Sequence, residues 1–285
     1  MEISLHSITL QLVTIHQLYS FLGAEPLFGA SIERIHGRKL PFVVLIAKKS
    51  SGCQAEKHIC TGSLITKNHV LTDARCLEVP LESIQAIAGS TDVNSRYHKR
   101  FDIASGITYK QWMRLRNLPD HPEKLDIGIL KLAVHDTGIK PAAITLHEKK
   151  YRLPSSLKVI GWGQTPESFC PEQPRIAPLF LLEEEDCENR LWWFDPDYKK
   201  NVLSGELVCA KSERVLFGVE GDYGAPIVNK ENSVIGILFR RHPLDHQTPA
   251  IPDLPNLVLR MIGFTKFISK IIADSANPQL QLGIL

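Results

Sequence analysis

The residue types able to do chemistry gather in a few short blocks. The run Cys60-Thr-Gly-Ser-Leu-Ile-Thr-Lys-Asn-His-Val-Leu-Thr-Asp-Ala-Arg75-Cys76 sets a guanidinium beside a cysteine. Asp126-Ile-Gly-Ile-Leu-Lys-Leu132 opens on a carboxylate, and Gly221-Asp-Tyr-Gly-Ala-Pro226 holds a carboxylate and a phenol between glycines. Guanidinium has a pKa above ~12, so Arg75 cannot accept a proton at neutral pH, but it can grip a carboxylate through two parallel N–H donors. None of the six cysteines forms a CxxC pair, and Cys53 and Cys60 lack the His or Cys companions of a zinc site. No metal or cofactor is expected. Disulfides are the favoured use of these cysteines in an exported chain.

Two more blocks, Val159-Ile-Gly-Trp-Gly163 and Pro255-Asn-Leu-Val-Leu-Arg-Met261, complete a series of five. In this order the blocks resemble those of the chymotrypsin/trypsin family of serine proteases, over roughly residues 27 to 273. The resemblance implies an all-β fold of two antiparallel six-stranded β-barrels followed by a C-terminal α-helix. It also assigns positions: Arg75 stands where the family carries its catalytic histidine, Asp126 at the triad aspartate, and Tyr223 at the nucleophilic serine. A serine hydroxyl becomes a nucleophile only when an imidazole takes its proton and a buried carboxylate orients that imidazole. Loss of the base or the nucleophile costs ~10⁶ in turnover, and the losses are not additive. The expectation is therefore a pseudoenzyme, with Asp126 paired to Arg75 so that no carboxylate is buried alone.

The resemblance extends the expected losses. The base of the primary specificity pocket lies six positions before the nucleophile, at 223 − 6 = 217, and is Phe217. The strand that pairs with substrate backbone becomes Phe239-Arg240-Arg241, whose side chains would fill the groove. Val219 replaces a bracing cysteine. Gly221 and the following amides could still form an oxyanion-type hole, crowded by Tyr223. Leu27-Phe-Gly-Ala30 resembles the terminus released on activation but follows Pro26; Arg34-Ile35-His-Gly37 offers a basic cleavage site too close to Pro41. Asp222, the family's partner for a new terminus, is retained. Family pairings imply Cys60–Cys76 and Cys187–Cys209. Cys53 and Cys170 then fall in loops on one rim of the cleft, where they either form a third bridge or leave a free or intermolecular cysteine. A Cα separation beyond ~7 Å would exclude the bridge.

The elements that must position these residues are short. Turn signals separate β-rich runs at 42–47, 69–72, 84–88, 127–132, 157–162, 234–239 and 257–261, a spacing that predicts a barrel or sandwich. Residues 137–156 read as the connection between two halves, and 186–200 as one short helix with an aromatic cluster at Trp192, Trp193 and Phe194. Residues 262–273 space Phe264, Phe267, Ile268, Ile271 and Ile272 as a docked amphipathic helix. His69 sits on a strand and is expected in the core. The domain is placed at 27–274, with a first barrel at about 27–136, a second at about 155–262, and a loose tail at 275–285.

Composition narrows the class further. The 285 residues are 44% hydrophobic and 22% charged, and 33 basic residues offset 31 acidic ones to leave +2. That balance argues against a dedicated nucleic-acid surface. Residues 8–22 are mostly apolar and end in Gly23-Ala24, so 1–24 read as a signal peptide, too short for a stable membrane anchor. No asparagine begins a glycosylation tripeptide. The leading expectation is a secreted binding or regulatory module of extracellular proteolytic cascades, partnered with a protease, zymogen or inhibitor. Residual endopeptidase activity, and anionic-glycan binding through Arg240 and Arg241, remain the alternatives.

Overall fold

The computed structural model describes residues 33–34, 39–49, 58–119, 126–145, 156–163, 168, 170–191, 207–211, 221–239 and 255–274. The signal-like stretch, Cys53, Phe217, Val219, Arg240, Arg241, the Trp192–Phe194 cluster and the 275–285 tail lie outside them.

After a two-residue strand β1 (Glu33–Arg34), six strands close into a first barrel: β2 (Val43–Lys48), β3 (His58–Leu64), β4 (His69–Asp73), β5 (Ile84–Ala88), β6 (Lys99–Thr108) and β7 (Ile127–Leu132), in the order β2-β3-β4-β7-β6-β5. All but the last residue of β2 are buried, and this strand reads as a continuous apolar run; every residue of β4 is buried too, though His69, Thr72 and Asp73 are polar. β6 is different: most of its side chains are exposed or half-buried, so its polar alternation hides it from a hydrophobicity search.

The second barrel uses β8 (Ser156–Gly161), β9 (Arg175–Leu181), β10 (Leu207–Lys211), β11 (Pro226–Val228), β12 (Val234–Leu238) and β13 (Asn256–Arg260). β9 pairs with both β8 and β10, and β11 with β8, so the antiparallel ring is closed. β1 adds to β9, with Glu33 opposite Ile176 and Arg34 opposite Arg175. Arg34, the alternative cleavage position, thus lies in a paired strand. Leu157, Val159, Leu179, Ile227 and Val258 fill this ring, each burial of such a side chain contributing about 1.5–3 kcal/mol.

The connection after β7 touches both halves. The amide of Ala142 donates to Leu64 O, and that of Thr145 to Val234 O, each at 2.8 Å. The expected helix at 186–200 is α2 (Glu184–Leu191) within the described residues; it starts earlier because Glu184, Glu185 and Asp186 favour a helix N-terminus. The C-terminal element begins as a 3₁₀ turn (Met261–Phe264) and becomes the helix α3 (Thr265–Asp274), with Phe264, Phe267 and Ile268 buried.

One helix escaped the sequence reading. Thr108 ends β6 and caps α1 (Tyr109–Leu115): its hydroxyl accepts from the Gln111 amide at 3.1 Å, while Gln111 Oε1 accepts from the Thr108 amide at 2.9 Å. At the far end Asn117 takes a left-handed φ of 52°. The Leu118 amide then donates to Met113 O and the Asn117 amide to Arg114 O, each at 3.1 Å, a Schellman closure. Seven residues make a marginal helix alone, but caps at both ends and aromatic packing hold this one. Tyr109 and Trp112 lie 5.5 and 5.6 Å from the Phe267 ring, joining α1 to α3.

The candidate active-site cleft

Arg75 lies in a 3₁₀ turn (Ala74–Leu77) that follows β4, and the turn's N-cap is Asp73. The Asp73 carboxylate takes three donors from this one residue. Oδ1 accepts from the Arg75 amide and from Nε, and Oδ2 accepts from Nη2, all at 2.9 Å. The Asp73 side chain is 1% exposed and that of Arg75 27%. A fork of N–H groups on a buried carboxylate is the geometry guanidinium suits best. Burial alone would lower the Arg75 pKa, but the hydrogen bonds and charge of Asp73, with Tyr223 and Glu78, carry it above its ordinary value.

The expected Arg75–Asp126 pair is therefore not formed. The partner is Asp73, two residues away, because the strand end and the 3₁₀ turn aim both side chains at each other while Asp126 is engaged elsewhere. Asp126 precedes β7; its Oδ1 accepts from the Lys110 amide at 3.1 Å, and the Thr108 hydroxyl also donates to it. Burial raises the Asp126 pKa first, and the nearby charge of Asp73 adds to this. The donors from Lys110, Thr108 and Ile127 pull the other way without reversing it. Nothing in the sequence motif singled out Asp73. Its available signal was an acid two positions before an arginine, at a strand end that also needed an N-cap.

Tyr223 comes from the second barrel, in the turn between β10 and β11. The Arg75 guanidinium carbon sits 4.0 Å from the centre of the half-buried Tyr223 ring and 5.9 Å from that of Phe239. Such cation–π contacts contribute about 0.5–2 kcal/mol. Phe239 is buried, and its amide donates to Leu257 O at 2.9 Å, so it packs as a wall behind Arg75. The cleft positions thus come together as a layer of phenol, guanidinium and carboxylate. In it the guanidinium holds its proton, and among the described residues no imidazole stands between the carboxylate and the phenol.

Thr61 fastens this turn to the first barrel. Its amide donates to Tyr223 O at 2.9 Å, and its hydroxyl donates to Gly221 O at 2.7 Å while accepting from the Trp162 amide at 2.9 Å. Gly224 has a φ of 78°, and a Cβ there would strike the Thr72 side chain and the backbone of Asp73 and Thr61. This close approach is why the turn carries glycine. Asp222 is fully buried, and its Oδ1 accepts from the Gly163 amide at 2.7 Å.

Cys60–Cys76 and Cys187–Cys209 are bonded, with Cα separations of 6.0 and 5.5 Å. Cys170 is disulfide-bonded as well, while Cys53, the partner expected for it, lies outside the described residues. His69 is buried, with Nδ1 2.7 Å from Thr66 Oγ1. Among the described residues no group of His, Cys, Asp and Glu could hold a metal ion, and no helix is long and apolar enough to cross a membrane.

Two six-stranded antiparallel barrels, a seam that gathers positions 75, 126 and 223, and a C-terminal helix define a trypsin-like fold. Residues 31–260 match the family model described as Trypsin. The chain is 27% identical over 195 residues to ovochymase of Halocynthia roretzi, covering 63% of this chain but 11% of that protein. It is 23% identical over 231 residues to chymotrypsin-like elastase family member 1 of Felis catus, covering 76% of this chain and 80% of the relative. With serine protease VLSP-1 of Macrovipera lebetinus it shares 22% identity over 273 residues, covering 93% and 94%. The solved structure of neuropsin, a serine protease of mouse brain, superposes with a TM-score of 0.61 at 20% identity, over 83% of this chain and 98% of that one. The chain belongs to the trypsin family.

Proposed function

We propose that this trypsin-family chain is a secreted, non-catalytic homologue that acts by binding an extracellular protease, zymogen or inhibitor. The observation that carries the reading is the Arg75 guanidinium, forked onto buried Asp73 and stacked on the Tyr223 ring. Acyl transfer in this family needs a group at that place that takes a proton and returns it, and guanidinium does neither at neutral pH. The neighbouring phenol has a cation over its face. Disulfides in both barrels suit an oxidising, extracellular setting.

The contrary reading, a working endopeptidase, draws on relatives that are themselves named as proteases and on the retention of Asp126 and Asp222. Serine-directed fluorophosphonate labelling and peptide-ester turnover of the mature chain decide between them. Neither is expected. Labelling lost on Tyr223→Phe, or measurable turnover, would overturn the proposal. Restoring Arg75→His and Tyr223→Ser together is expected to leave the chain inactive, because Asp73 sits where it would compete with Asp126 for the new imidazole. Robust hydrolysis by that variant would refute this account of the cleft. Affinity capture from the native fluid then identifies the partner.

A further inference from the structure

From the face built on α1 and α3 we infer a docking site for an acidic polypeptide segment that also carries apolar side chains. No acidic residue occurs between Asp102 and Asp120, a stretch that contains Lys110, Arg114 and Arg116. In α3 and its 3₁₀ lead, Lys266 and Lys270 precede the first acid, Asp274. The rings of Tyr109 and Trp112 pack against Phe264 and Phe267, so these two cationic elements are neighbours. Arg114, Arg116, Lys266 and Lys270 are all exposed. The Arg116 guanidinium lies 5.0 Å from the Trp112 ring centre, which holds one of these charges in place.

Charge alone would suit any polyanion. The leucines select a protein. Leu115 is 64% exposed and Leu118 40%, and apart from Tyr97 they are the only large exposed hydrophobics among the described residues. Both lie on the same helix end as Arg114 and Arg116, so the solvent-facing order is cation, leucine, cation, asparagine, leucine. A glycan chain has no use for such leucines, whereas an acidic segment with Leu or Phe between its carboxylates meets both kinds of group. The face is also preorganised: caps close both ends of α1 and the aromatic contacts clamp its inner side, so little further ordering is needed on binding. The same charges would steer an acidic partner during approach. The site borders the cleft through the Lys110–Asp126 hydrogen bond. The inference names a surface and partner chemistry for the binding role proposed above, and it holds whether or not the cleft turns over substrate.

The test uses the whole mature chain and a fluorescein-labelled peptide of Glu, Asp, Leu and Phe, followed by anisotropy at about 0.15 M salt. Arg114→Glu with Arg116→Glu, and separately Leu115→Ser with Leu118→Ser, are each expected to weaken binding by about tenfold. A companion peptide of Glu, Asp and Ser is expected to bind about tenfold more weakly than the first. Unchanged far-UV circular dichroism and melting show that these surface variants fold. Failure of the chain to bind the first peptide would overturn the inference. So would binding indifferent to the leucine pair, or equal binding of both peptides and of a heparin fragment, which would make the face a general polyanion surface. Fluorophosphonate labelling reports on the cleft alone, so failure there is told apart from failure here.

Discussion

Replacing Asp73 by Asn and Arg75 by Gln, singly and together, isolates the interaction at the heart of the cleft. Three N–H donors converge on the Asp73 carboxylate, and bonds to charged groups contribute about 1.5–3 kcal/mol each. Breaking a dry ion pair costs about 3–5 kcal/mol, but Arg75 keeps 27% of its side-chain exposure and part of its hydration. The coupling energy is therefore expected near 2 kcal/mol. Arg75→Gln should be the more damaging single change, at about 3 kcal/mol, because it strands a carboxylate that is 1% exposed. Asp73→Asn keeps an acceptor for the cap and should cost about 2 kcal/mol. The double variant, with no charge left to strand, should resemble Arg75→Gln. Urea unfolding at neutral pH with disulfides intact, followed by tryptophan fluorescence, gives the four free energies. A coupling below about 0.5 kcal/mol is the value of an exposed surface pair, and would refute the claim that burial gives this one its strength.

Three further outcomes follow from the same geometry. His69 has its pKa pushed down to about 4 by burial and, secondarily, by Lys131. Its folded value lies below the unfolded one of about 6.5, so its contribution is complete above that pH and is lost as the pH falls toward 4, by about 3 kcal/mol in all. His69→Gln should flatten the dependence of the urea midpoint on pH over that window, and an unchanged profile would count against it. Asp126 has its pKa raised, chiefly by burial, so its ionised form is disfavoured in the fold and that penalty grows as pH rises through the folded value. Asp126→Asn is thus expected to raise Tm at neutral pH, with the gain shrinking on acidification; a loss of Tm would contradict this. Gly224→Ala must leave a φ of 78° or push into Thr72, and should cost about 3 kcal/mol or more, read as a fall in Tm. A melting point equal to that of the parent chain would show that the seam is looser than drawn.

The barrels were legible where short, mostly apolar runs stand between turn signals, as at Ile84–Ala88 and Ile127–Leu132, which match the expected strands residue for residue. Lys99–Thr108 escaped because its face is partly solvated, and Pro226–Val228 because three residues after a glycine-rich turn carry no periodicity. α1 was missed for a different reason. Its caps at Thr108 and Asn117 are readable only once the helix is suspected, since seven residues give too short a window for the helical period. At the cleft, motif order placed Arg75, Asp126 and Tyr223, and the structure brings Arg75 onto Tyr223. Motif order could not say which carboxylate the guanidinium would choose. That choice depends on where a strand ends and which amides Asp126 already serves.

The Arg75–Asp73 pair closes a loop of only two residues, and both partners belong to one barrel. A contact so local requires little loop entropy to form, and it does not depend on how the two barrels are seated. A cross-seam triad is undone when two halves shift by an ångström. Here the charge at the mouth of the cleft is neutralised within one half, and the other half contributes only the face of an aromatic ring. A partner that moved the Tyr223 ring would unload the cation–π contact on the guanidinium and leave the Asp73 ion pair in place.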